Sequence, residues 1–83
     1  MTDKIEYLTA RYWSGAMNVA SMRVWTSKTD AAKEIQRFLN EDRQSHPRLG
    51  KCAFLEHTRC YELSSNKAPV NITHKLGVIG DKL

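Results

Sequence analysis

His46, Cys52, His57 and Cys60 fall within a span of fifteen residues, and their side-chain types are those that bind transition metals. Structural zinc draws its ligands from closely spaced cysteine knuckles that wrap the backbone around the ion. Seven residues separate Cys52 from Cys60, and on a strand His57 would project to the face opposite both of them. No metal is expected. Nucleophilic catalysis would need a thiol within reach of a base that a third group orients. Cys60 with His57 or His74 and Glu62 supplies the types, but no glycine-rich elbow, phosphate-binding loop or paired-carboxylate motif accompanies them. The chain is therefore expected to be non-enzymatic, with no catalytic residue and no cofactor.

Two other groups of residues could do binding chemistry. Arg37, Arg43, His46, Arg48 and Lys51 crowd the end of a predicted helix and the loop after it, and no acid occurs from residue 43 to 55. Such an edge could neutralise phosphates, with Tyr12, Trp13 or Trp25 stacking on bases. No helix-turn-helix, aromatic RNA-binding submotif or Gly-x-x-Gly loop supports that use. The second group is Tyr7, Tyr12, Trp13, Arg23 and Trp25, from residue types that anchor protein interfaces.

The whole chain narrows the field. Its 83 residues allow one domain, spanning 1–83, with a thin core and little room for a large cofactor. The apolar fraction of 41% and charged fraction of 27% suit a folded soluble protein. No apolar run approaches a membrane span, and Met1-Thr2-Asp3-Lys4 does not resemble a signal peptide, so a cytoplasmic protein is expected. On that reading the acceptor-like Asn71-Ile72-Thr73 carries no glycan, and two cysteines make no disulfide framework. The net charge of +4 comes entirely from the second half: residues 43–83 hold seven basic side chains against Glu56, Glu62 and Asp81. That asymmetry favours an anionic partner or an acidic protein surface.

The elements that must position these groups follow from patterning. Residues 5–26 predict a hairpin turning at Ser14-Gly15, pairing Trp13 with Ala16, Tyr12 with Met17, Ala10 with Val19, Tyr7 with Met22, Glu6 with Arg23 and Ile5 with Val24. Residues 28–45 predict a helix with Ser27, or alternatively Thr29, as cap; Ala31, Ile35, Phe38 and Leu39 form its buried stripe, with Lys33, Glu34, Arg37, Asn40 and Glu41 opposite. Pro47 ends it. Residues 52–63 predict a third strand, whose imperfect alternation implies a bulge or bend near His57-Thr58. Residues 64–83 predict a turn-rich tail, with Val70–Thr73 as a candidate short fourth strand. The expected fold is α+β: a small antiparallel sheet, β-β-α-β with that fourth strand, packed on one amphipathic helix.

At the hairpin, Ile5-Glu6-Tyr7-Leu8-Thr9-Ala10 and Met17-Asn18-Val19-Ala20 resemble the N-terminal strand region of a small phage-encoded anti-CRISPR protein of similar size. The resemblance spans about a fifth of the chain with small gaps. It implies an antiparallel sheet packed against helices, and a protein that binds a CRISPR–Cas surveillance complex and blocks target DNA without catalysis. It also implies that Tyr7 is a partner-contacting aromatic. The expected function is thus inhibition of a host machine by direct protein binding, from a phage or mobile element. Its partner residues would be Tyr7, Tyr12, Trp13, Arg23, Trp25, Arg37, Arg43, Arg48 and Lys51. The alternative is a small nucleic-acid-binding module using the basic edge around residues 37–51. Monomer and homodimer are both compatible with these patterns.

Overall fold

The long helix forms where its local signals put it. Ser27 is extended, and its side-chain oxygen accepts a hydrogen bond from the Asp30 amide at 3.3 Å, so α1 starts at Lys28 and runs to Ser45. The His46 amide donates back to the Asp42 carbonyl at 2.8 Å, and Pro47 follows. The predicted stripe of Ala31, Ile35, Phe38 and Leu39 is buried. Glu34, expected on the outer face, is buried with them at 6% exposure. It sits three residues after Ala31 and four before Phe38, on the margin of the stripe, where Arg37 and Arg23 reach its two oxygens.

The computed structural model describes residues 4–76, without the side chains of Lys51 and Cys52. Strands β1 (Ile5–Trp13) and β2 (Ala16–Trp25) form the hairpin, and α1 follows. A second helix, α2 (Lys51–His57), then leads into β3 (Thr58–Ser64) and β4 (Lys67–Asn71). A single 3-10 turn occupies Thr73–Lys75. All strand pairs are antiparallel, in the order β2-β1-β3-β4. The fold is the expected α+β arrangement, a small antiparallel sheet packed on one main helix. Among the described residues no helix is long and apolar enough to cross a membrane. The predicted tail from Gly77 onward lies outside the described residues.

The hairpin register departs from the expected one. Near the turn, Trp13 pairs with Ala16 and Tyr12 with Met17 as predicted, and Arg11 pairs with Asn18. Positive φ at both Ser14 (52°) and Gly15 (83°) gives the turn whose twist matches that of the strands. Beyond Asn18, the four residues Val19–Met22 oppose the single Ala10, and pairing resumes with Thr9 to Arg23, Leu8 to Val24 and Tyr7 to Trp25. The predicted Ala10–Val19, Tyr7–Met22, Glu6–Arg23 and Ile5–Val24 pairs therefore do not form.

An odd slip exchanges the two faces of a strand. Here it turns Trp25 towards α1, where it packs against the core and its Nε1 donates to Thr9 Oγ1 at 2.8 Å. Val24 and Met22 are left 52% and 41% exposed in its place. Burying an indole whose N–H is satisfied outweighs burying valine or methionine.

Side chains hold the bulge together. The Arg11 amide, deprived of a strand partner, donates to Ser21 Oγ at 2.8 Å, and that hydroxyl donates to the Asn18 carbonyl at 2.7 Å. Asn18 Oδ1 accepts from the Ala20 amide at 3.1 Å. Ser21→Ala should strand both the Arg11 amide and the Asn18 carbonyl, at a cost of about 1–2 kcal/mol. Urea unfolding should register that loss, with hydrogen exchange quickening at the Arg11 amide; unchanged exchange there would dismiss the hydroxyl as the bulge's clamp.

The third predicted strand is corrected to a helix followed by a strand. Gly50 is extended, the Phe54 amide donates to its carbonyl at 3.1 Å, and residues 51–57 coil. The broken alternation near His57-Thr58 marks the point where helix becomes strand, since residues before and after it obey different periods. Phe54 then joins the buried cluster of Ala31, Ile35, Phe38, Leu39, Cys60 and Ile72. The chain beyond β4 is pinned under this cluster. The Cys60 amide donates to Thr73 Oγ1 at 2.8 Å, and the Ile72 amide donates to the Cys60 carbonyl at 2.9 Å. Asn71 Oδ1 accepts from both the amide and the hydroxyl of Thr73, so the acceptor-like triplet closes a turn on itself.

Candidate functional site

Arg11 fixes where the hairpin meets the end of α1. Its Nη1 donates to Asp42 Oδ1 at 2.8 Å and its Nη2 to Glu41 Oε2 at 3.0 Å, while the guanidinium lies 4.3 Å from the Phe38 ring centroid. Arg37 extends the network, donating at 2.6 Å to both Glu34 and Glu41. Those bonds, the one to Glu34 first, raise the Arg37 pKa. Charges of alternating sign therefore run from Arg23 across α1 to Arg11, tying both hairpin strands to the helix.

This clamp, with α2 folded back beside it, encloses a cleft of about 640 Å3. Its walls are Arg11, Tyr12, Trp13 and Asn18 from the hairpin, Asp42 from α1, His46 and Leu49 from the loop, and Ala53 and His57 from α2. Trp13 stands at the rim, 76% exposed, with its ring centroid 5.6 Å from that of His57 and tilted by 54°. Arg11 and Asp42 neutralise one another on the polar wall. What is left to meet a partner is mainly apolar, the Trp13 indole, Leu49 and Ala53, with the polar His46 and His57 imidazoles and the Asn18 amide set among them. Such a cleft can accept an apolar or aromatic side chain of another molecule.

The predicted partner residues scatter around this cleft. Tyr12 and Trp13 line it. Arg48 is exposed on a shallower groove formed by residues 45–50, and Arg43 lies half-buried in the last turn of α1. Tyr7 and Trp25 are partly buried against the core on the helix side of the sheet. Arg23 is exposed above Glu34, and Arg37 is held by its two carboxylates. The Lys51 side chain lies outside the described residues. His46, Leu49, Ala53 and His57 were not foreseen as one site, because only the turn of α2 brings His57 and Ala53 to the hairpin. Leu49, an isolated apolar residue between Arg48 and Gly50, was the one local signal.

Among the described residues no three His, Cys, Asp or Glu side chains are placed to hold a metal ion. Cys60 is fully buried, and burial pushes its thiol up to about 11, the reverse of activation. A raised acid favours folding below the pKa of the unfolded thiol and loses that contribution as pH climbs to the folded value. Stability should therefore fall between about pH 9 and 11 by roughly 2–3 kcal/mol from this group. Other groups also titrate in that range, so the check is a comparison with Cys60→Ala, whose denaturation curves should show a shallower fall. Equal slopes would remove Cys60 from the account.

No protein-family model matches the chain, and neither the curated proteins nor the solved structures yielded a match.

Proposed function

We propose that this chain is a non-enzymatic binding domain that acts by occupying the surface of a larger host machine, with the hairpin tip and the cleft behind it as the contact. The observation that carries this is Trp13, 76% exposed at the rim of a mainly apolar cleft. Tryptophan is the side chain most often found as the energetic centre of an interface, and its position beside a receptive hollow gives a partner both a knob and a hole. The likeness of the hairpin to phage-encoded anti-CRISPR proteins directs the proposal to a CRISPR–Cas surveillance ribonucleoprotein as the machine. Under it, a phage or mobile element is the source and the host cytoplasm the place of action.

The experiment is a target-DNA binding assay with purified surveillance complex, with and without the chain. Inhibition that saturates with added protein supports the proposal, and full DNA binding throughout overturns this choice of partner. The nucleic-acid alternative has less support, because Arg37, at the start of the basic edge, spends its charge on Glu34 and Glu41. Binding to random oligonucleotides that weakens steeply with salt would restore it.

A further inference from the structure

Among the described residues, no helix packs on the second face of the sheet. Register places Glu6 in one row of that face, Leu8, Val24 and Tyr61 in the next, and Arg59 in the row beyond. Arg59 is held there: its guanidinium lies 4.2 Å from the Tyr12 ring centroid, and its Nη1 donates to Tyr61 Oη at 3.4 Å. Among the described residues, no ion pair forms at Arg59 or at Glu6. The face thus offers an apolar row with a fixed cation on one side and an anion on the other.

The sheet's edges are poor places for association. The bulge at Val19–Met22 bends the exposed edge of β2, and β4 carries Lys67 and Pro69 on the other edge. Strand addition is discouraged at both, which leaves the face.

We infer that two copies of this chain pair through that face, about a two-fold axis running across the strands at the level of Leu8. The axis sets Leu8, Val24 and Tyr61 of each copy on the same row of the other. It carries Glu6 of the second copy to the row of Ala10 and Arg59, and the pair forms twice because the interface is isologous. Two stacked sheets lie about 10 Å apart with strands within about 30° of each other, a spacing these side chains fill. Four strands ~4.8 Å apart and about seven residues long present roughly 450 Å2, so two copies bury about 900 Å2, just under the ~1,000 Å2 at which specific interfaces begin, and the paired charges must supply the rest. The cleft of each copy is at its hairpin tip, on the helix side, and the axis sends the two tips to opposite ends. The dimer is therefore bivalent towards a partner with repeated sites.

Sedimentation velocity with charge reversals tests this. At about 100 μM the chain should run as a dimer, and Glu6→Arg or Arg59→Glu alone should raise the dimer Kd about 100-fold, since like charges then meet twice. An equimolar mixture of the two variants should recover a heterodimer. A monomeric parent chain overturns the inference, as do a dimer indifferent to both reversals and a mixture that stays monomeric while both variants keep the parent circular dichroism. Should Arg59→Glu fail to fold, Val24→Lys decides, because Val24 is 52% exposed and dispensable to the core. Loss of the dimer then supports the pairing, and an intact dimer overturns it.

Discussion

Trp13→Ala should weaken partner binding by about 30-fold or more, equivalent to roughly 2 kcal/mol, while leaving the unfolding free energy within about 0.5 kcal/mol of the parent chain. The two halves of that expectation have separate causes. In the free protein the indole is 76% exposed, and the contact identified for it is the tilted ring of His57, so folding gains little from it. In a complex the same ring would lose most of its remaining exposed surface, and about 25 cal/mol per Å2 of buried apolar area makes it a large contributor. Titration calorimetry against the surveillance complex and urea unfolding measure the two quantities independently. A parallel fall in both would assign Trp13 to the fold, and an unchanged affinity would move the contact elsewhere. Trp13→Phe should recover part of the loss, since a smaller ring still reaches the rim.

What could be read from the sequence was what local physics decides. The Ser27 cap, the 3.6-residue stripe and Pro47 gave α1 both ends, because caps, periodicity and a missing amide act within a few residues. The positive-φ turn at Ser14-Gly15 fixed the hairpin tip in the same way. The bulge was not legible. It depends on Ser21 supplying a hydroxyl where a strand partner is missing, and on the core preferring Trp25 to Val24, which is a tertiary choice. Glu34 shows the same limit: a glutamate at the edge of an apolar stripe is taken as exposed unless two arginines on different elements are known to converge on it. For the cleft, Trp13 and the helix exit were each singled out from residue type. Their convergence was hidden because it requires residues 51–57 to be a helix that turns back towards the hairpin.

That turn rests chiefly on Phe54, with Leu55 packed beside it, and Phe54→Ala should show it. Truncating a fully buried phenylalanine costs about 3–5 kcal/mol, through lost transfer energy and the cavity left behind. A domain of this size has only about 4–12 kcal/mol of stability, so the variant should be partly unfolded or nearly so at 37 °C. The loss should not be spread evenly. α2 has seven residues and no side-chain cap at Gly50, so it is too short to persist without packing, and Phe54 is its buried member in the core cluster. Amides of residues 51–57 should exchange fastest, while those of β1 and β3, paired over seven positions, stay protected longest. Because α2 supplies Ala53 and His57 to the cleft, partner binding should disappear at temperatures where the sheet still resists urea. Phe54→Leu should restore most of the stability and the binding together, since it refills the cavity without touching the cleft wall. Uniform acceleration of exchange over the whole sheet would mean that α2 and the sheet unfold as one unit, and the cleft could then not be lost on its own.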